Sequence, residues 1–306
     1  MIAVQEAKSI IQKRIPFLVT ETVSLHDAGN RVLAKDIVAT FPLPRFDNSA
    51  MDGFSLRAAD TNGASQSNPV TLKMVSVSSA GTPSEIIVGS GECTQCMTGA
   101  KIPDGTDTIV MVEDTSGFSD ADSVQIFLEA HPGKHIRKQG EEIQEGDVLI
   151  PKGTRITPGE IGTLATFGYE KIPVAKKPRI AIFGTGDELI EPGNELKAGQ
   201  IYNSNLYIFA ELAERAGAEV IMQIVIKDDK ESMRAFLSEA LNICDVVISS
   251  GGVSMGRYDF VRDVFMELGV QEHFWKVAQK PGKPLFFGTA KSTLIFGLPG
   301  NPVSSY

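Results

Sequence analysis

Cysteine is scarce. Three residues, Cys93, Cys96 and Cys244, in a chain of 306 cannot form the disulfide framework of a small secreted fold. Cys93 and Cys96 form a lone CxxC. No second pair or histidine cluster completes a zinc site around it, so strand packing is the better reading. Long apolar runs are also missing: none approaches the ~18 residues that cross a bilayer. The opening MIAVQEAKSIIQKRIP lacks the basic-then-apolar layout and small-residue cleavage site of a secretory signal. A cytoplasmic location is the default expectation. Positive charge is in deficit, with 29 Lys and Arg against 38 Asp and Glu and a net charge of −9. A general nucleic-acid binder needs a basic surface and is disfavoured, whereas a local anion pocket stays open. What remains, 42% hydrophobic and 22% charged residues, is the composition of an ordinary soluble protein. The length predicts two or three domains.

Helical spacing of Val4, Ala7, Ile10, Ile11 and Ile15 predicts a helix over residues 3–15, stopped by Pro16. Residues 31–40 look extended. The stretch 41–60, FPLPRFDNSAMDGFSLRAAD, is rich in proline and turn formers, and is either a connector or a binding loop. Between residues 70 and 130, period-two pieces at Thr71–Val77, Gly91–Met97, Thr108–Val112 and Ser123–Leu128 predict a small β domain. Thr98 falls where one of these strands gives way to a loop. The cluster Lys134, His135, Arg137 and Lys138 before Gly140-Glu141-Glu142 reads first as a solvated surface. A helix over Gly159–Phe167 follows, capped by Thr157-Pro158 and ended by Gly168.

From Arg179 onward strands and helices alternate. Strands are expected at Arg179–Phe183, Glu219–Ile226, Asp245–Ile248, Val270–Trp275, Leu285–Phe287 and Thr293–Phe296. Helices are expected over Leu206–Ala216, from a head at Asp228-Asp229 to Leu241, and over Tyr258–Leu268. The pattern predicts a doubly wound, mostly parallel α/β sheet, whose ligand lies outside the strands' carboxyl ends. Loops at those ends carry Thr185-Gly186-Asp187-Glu188, Asp228-Asp229, Ser249 to Gly252 with Ser254 and Asp259, Lys276, Lys280-Pro281-Gly282-Lys283 and Leu298–Pro302. Amides and lysines neutralise phosphate, and spaced carboxylates hold a hard divalent cation such as Mg²⁺. Alone, each carboxylate is equally a helix cap and each glycine pair a tight turn. The residues by themselves lead to Mg²⁺-assisted chemistry on a phosphorylated ligand and no further.

Seven motifs in register carry the reading beyond that point: NSAMDGF (48–54), MTGAKIPDGTDTIVMVED (97–114), GEEI (140–143), GTGDEL (184–189), SSGGVSMGRYDF (249–260), FWKVAQKPGKP (274–284) and GLPGNPVSS (297–305). Together they resemble, from end to end, the MoeA family of molybdopterin molybdenumtransferases, which includes the gephyrin E domain. The resemblance implies a MogA-like α/β domain at 176–306, a small β domain at 46–145 and an extended linking α+β domain formed by 1–45 with 146–175. It implies insertion of molybdate into adenylylated molybdopterin, with Mg²⁺-dependent hydrolysis and release of AMP. It further implies a homodimer, possibly supplied with substrate by a MogA-like adenylyltransferase, with no nucleic acid or membrane as partner. Residue by residue, it marks Asp52, Thr98, Glu188, Asp259, Lys276 and Lys280 as catalytic. Ser250, Gly251, Gly252, Pro299 and Pro302 would bind the pterin or its phosphate groups. Glu188, Asp259 and Asp228 would hold the metal, with Asp229 an alternative to Asp228.

Two departures stand out. Glu142 occupies a position where the family usually has aspartate, and the sequence ends at Tyr306, where the family continues into another small β domain whose absence is therefore expected. Two other functions compete with insertion. A MogA-like adenylyltransferase would share the α/β domain but has no need of the amino-terminal half with its SAMDG and MTGA motifs. A non-catalytic gephyrin-like scaffold would favour linkers and an exposed apolar groove.

Overall fold

A computed structural model describes residues 1–227, 229–252 and 260–306, Phe260 by its backbone alone. The chain divides into two compact units. The first comprises Met1–Lys35, Gly153–Ile161 and Glu170–Tyr306, and the second Asp36–Lys152 and Gly162–Tyr169.

The second unit is built on five strands: β1 (Gly53–Leu56), β2 (Val70–Ser78), β3 (Glu92–Cys96), β4 (Thr108–Met111) and β5 (Ser123–Ile126), in the spatial order β4-β1-β3-β2-β5. Four of them coincide with the period-two pieces of the sequence. The fifth, β1, lies in the stretch expected to be irregular. It is buried at all four positions and pairs antiparallel with both β3 and β4, so it shows no polar-apolar alternation. Its Asp52-Gly53 start resembles a turn, but Gly53 is needed for another reason. A Cβ there would lie 2.0 Å from the Val110 carbonyl oxygen, closer than any side chain tolerates.

Within this sheet Cys93 stands opposite Leu56, and Cys96 opposite Gly53. Three residues apart in a strand, the two thiols point to opposite faces. Cys93 packs with Phe54, Leu56 and Leu72, and Cys96 with Ala100, Ile102 and Ile109. Burial pushes the Cys93 thiol up to about 12 and that of Cys96 to about 11. Both are protonated packing groups rather than metal ligands.

In the first unit, β6 (Arg179–Thr185), β7 (Glu219–Ile226), β8 (Val246–Ser250), β9 (Gln271–Lys276), β10 (Pro284–Ala290) and β11 (Thr293–Leu298) form one sheet in the order β7-β6-β8-β11-β10-β9. The first four in that order are mutually parallel, and β10 and β9 are antiparallel additions. Alternate side chains feed two cores. Ile180 and Ile182 of β6 pack with Leu206, Phe209 and Ala213 of helix α1 (Asn205–Arg215). Ala181 and Phe183, with Val247 of β8, pack with Met233 and Leu237 of α2 (Lys230–Ile243) and Val261, Val264 and Phe265 of α3 (Phe260–Glu267). Helices therefore cover both faces, as the unbroken apolar runs of β6 and β8 require. The amino-terminal helix Val4–Gln12 is shorter than the sequence suggests. It buries Ala7 against Phe274, Val277, Phe287 and Leu294, while Ile15 is exposed.

Because β1 is the strand on which the small sheet is assembled, Gly53→Ala should destabilise the second unit by roughly 2 kcal/mol or more through overpacking. Urea denaturation checks this, and an unchanged midpoint would contradict the packing described.

Candidate functional site at the carboxyl ends of the parallel strands

The sheet changes direction between β6 and β8. The chain leaves β6 toward β7 on one side and returns to β8 on the other, which opens a crevice at their carboxyl ends. Register sets the height of its walls: Gly184 lies beside Ser250, and Ser250 beside Leu298. Three loops thus depart from one level.

The first loop begins Thr185-Gly186-Asp187-Glu188. Gly186 has φ +141°, and the Glu188 carboxylate folds so closely over it that a Cβ would lie 2.4 Å from Oε2. The loop stays ordered through Leu189–Ile190 pairing parallel with Ile201–Tyr202. Glu191 ties its far end to the helix, accepting from Asn203 Nδ2 at 2.9 Å and from the Tyr207 hydroxyl at 2.8 Å. Glu188 itself is exposed.

The second loop contains Gly251 and Gly252, both left-handed at φ +83° and +71°. At Gly252 a Cβ would meet Val261 Cγ2 at 2.1 Å, so α3 and the loop close on one another only over glycine. The Gly251 N–H donates to the Leu298 carbonyl at 3.0 Å, linking this loop to the third. That third loop, Pro299-Gly300-Asn301, turns into the short helix Pro302–Ser305, whose Val303 N–H is accepted by Asn301 Oδ1 at 3.0 Å. Gly282, in the loop of Lys280, lies so near this helix that a Cβ would come within 2.7 Å of the Ser304 carbonyl oxygen.

Of the residues expected in the α/β unit, Glu188, Ser250, Gly251, Gly252, Pro299 and Pro302 lie on these three loops or at their ends. Lys276 ends β9, with Nζ 4.4 Å from the centre of the Trp275 ring, and Lys280 is exposed on the adjoining loop. Asp228 and Asp259 lie outside the described residues. Asp229 caps α2, accepting from the Ser232 N–H at 2.8 Å. Ser232 hydrogen bonding, through hydroxyl and N–H, holds its carboxyl below the usual range. Among the described residues no three His, Cys, Asp or Glu side chains gather closely enough to share an ion. The described part of the expected Mg²⁺ site is therefore one hard oxygen donor, Glu188. That donor suits such an ion but does not by itself make a site.

Asp52 and Thr98 belong to the second unit, where they meet directly. Asp52 Oδ1 accepts from the Thr98 N–H at 2.7 Å and from the Thr98 hydroxyl at 2.9 Å. Those two bonds, the backbone one first, hold the Asp52 carboxyl below its ordinary value although both residues are exposed. Thr98 is thus more than a turn hydroxyl: it fixes the orientation and the charge of Asp52. In the same unit Asp47 is bound by Lys138 Nζ and by the Gln139 N–H, each at 2.8 Å. Part of the basic cluster therefore braces the loop that carries Asp52.

The sequence reading passed over Asn205 as a site residue, although it is a buried polar residue four positions before Phe209 on an apolar helix face. Its amide reaches two of the three loops, donating to Ser250 Oγ at 2.7 Å and to the Gly300 carbonyl at 2.8 Å.

Removing the Thr98 hydroxyl should release part of the hold on Asp52. In Thr98→Val the Asp52 carboxyl is expected to titrate at higher pH than in the parent, as read from its side-chain NMR shift. An unchanged titration would show that the hydroxyl contributes nothing.

Residues 2–168 match the family profile of the MoeA N-terminal region (domain I and II), and residues 181–306 match that of a probable molybdopterin binding domain. A protein of Bacillus subtilis named molybdopterin molybdenumtransferase is 41% identical over 289 residues, covering 94% of this chain and 67% of its own length. One of the same name from Staphylococcus aureus is 38% identical over 305 residues, covering 100% of this chain and 72% of its own. Among solved structures, the molybdopterin biosynthesis MoeA protein of Pyrococcus horikosii superposes with a TM-score of 0.87 at 34% identity. That match covers 100% of this chain and 76% of the other. With both halves of the sequence matched and the fold shared over its whole length, this chain belongs to the MoeA family.

Proposed function

We propose that this chain acts in synthesis of the molybdenum cofactor as a molybdopterin molybdenumtransferase. It would take adenylylated molybdopterin and molybdate, hydrolyse the phosphoanhydride, release AMP and leave the metal on the dithiolene sulfurs. The observation that carries this reading is the match to relatives of that name across essentially the entire chain. The match over residues 2–168 favours it over an adenylyltransferase, which would need only the α/β part.

In this proposal the Ser250–Gly252 loop, whose Gly251 N–H is already given to the Leu298 carbonyl, receives the pterin and its phosphate groups at the crevice together with the Pro299–Pro302 turn. A loop that must lie close to a ligand cannot carry side chains there, and the two left-handed glycines meet that demand. Lys276 and Lys280 neutralise phosphate or molybdate charge. Asp52, kept ionised by Thr98, acts as a fixed carboxylate or proton acceptor. Mg²⁺ would be held by Glu188 together with Asp228 and Asp259, and would offset phosphate charge. The organisation proposed with it is the α/β domain at 176–306, the small β domain at 46–145 and the linking domain of 1–45 with 146–175. A homodimer and a MogA-like supplier of the adenylylated substrate complete the proposal. No helix among the described residues is long and apolar enough to cross a membrane.

Release of AMP from adenylylated molybdopterin should depend on both molybdate and Mg²⁺. Glu188→Ala should reduce the rate at least ~100-fold, the scale of losing a group that acts in the transition state, while circular dichroism stays unchanged. Molybdate-independent hydrolysis, or full activity of the folded variant, would overturn the respective parts of the proposal.

A further inference from the structure

We infer that Asn205 is a positioning residue that sets the polarity of the Ser250 hydroxyl, making Ser250 a hydrogen-bond donor to an oxyanion of the bound substrate. The inference rests on the functional reading above and concerns a residue that reading does not use.

The orientation of the Asn205 amide is fixed by chemistry. A carbonyl oxygen only accepts, so the atom 2.8 Å from the Gly300 oxygen must be Nδ2. Its second N–H then points to Ser250 Oγ at 2.7 Å. Ser250 Oγ is committed as an acceptor in that bond, which leaves its own hydrogen to be donated elsewhere. Ser250 is the last residue of β8, at the edge where the three loops depart. The arrangement has a cost. Asn205 is 7% exposed, and its Oδ1 is buried without a partner among the described residues. The opposite flip would give Oδ1 the Ser250 hydrogen but would set it against the Gly300 carbonyl. An uncompensated buried acceptor calls for a reason. Here the reason is that one amide holds the β8 and β11 loops together and leaves the hydrogen of the Ser250 hydroxyl, itself only 4% exposed at the strand end, without an acceptor among the described residues.

The ligand chemistry is that of a tetrahedral oxyanion, which only accepts hydrogen bonds. Two groups of the reaction have it, the phosphate of the adenylylated pterin and molybdate, and kinetics separate them. Asn205→Asp keeps the shape but reverses the polarity, because a carboxylate draws the Ser250 hydrogen inward and repels the Gly300 carbonyl. Asn205→Ala removes both donors without adding charge, and serves the same comparisons should the Asp variant fail to fold. Each is compared with wild type, with Ser250→Ala and with the matching double variant, by molybdate-dependent AMP release and by calorimetric titration with adenylylated molybdopterin.

Asn205→Asp should raise KM about 10-fold or more, the scale of one lost hydrogen bond to an anion, with kcat changed far less. A rise in the KM of the pterin substrate assigns the phosphate, and a rise in that of molybdate assigns the metal oxyanion. In the Ser250→Ala background most of the effect should vanish, since the two residues act as one unit. Unchanged KM for both substrates, or an equal loss with and without the Ser250 hydroxyl, overturns the inference. Absence of substrate binding by wild type would instead overturn the functional reading, and the role of Asn205 with it.

Discussion

Parallel pairing among β6, β8 and β11 is the constraint on which the rest depends. Backbone hydrogen bonds set Gly184, Ser250 and Leu298 side by side. A shift of one residue in any strand would exchange the side chains of its two core faces and carry its loop off the common edge. Register is secured by burial on both faces, with Ala181, Phe183 and Val247 facing one core and Ile180 and Ile182 the other. The hydrophobic cores that stabilise the sheet therefore also place the loops. Glycine then does at the edge what apolar side chains do beneath it. Gly252 lets α3 close on the loop, and Gly186 lets the Glu188 carboxylate fold back across the end of β6.

Polar contacts at this edge are few and specific. Asn205 joins the Ser250 and Gly300 loops, Gly251 bonds Leu298, and Glu191 closes the excursion that carries Glu188. Each satisfies backbone or side-chain groups that would otherwise be orphaned where strands end. In the second unit the same economy appears at Asp52, held by both donors of Thr98. A carboxylate so held is pre-oriented and keeps its charge to lower pH than a free one.

Much of this was legible in the sequence, for identifiable reasons. The βαβ alternation after Arg179 is strongly periodic, and the crevice follows from topology once the strands are placed. The small β domain showed itself through period-two pieces. Strand β1 did not, because four buried residues have no alternation and Asp52-Gly53 imitates a turn. Helix capping at Asp229 was visible as the plain alternative and is what the described structure contains. The roles of Thr98 and Asn205 were not readable, since one depends on contact with a residue 46 positions away and the other on contacts 45 and 95 positions away. Such distances leave no local pattern. The pterin and the inserted metal came from the family resemblance, not from spacing or charge.

In the proposed function the three loops at the strand ends form the substrate cradle. Backbone amide NMR shifts on adding adenylylated molybdopterin without molybdate test it most directly. The largest changes are expected at residues 185–188 and 250–252 and at Leu298, Gly300 and Asn301. Changes confined to the opposite, amino-terminal edge of the sheet, or absent from the 250–252 loop, would contradict the proposal.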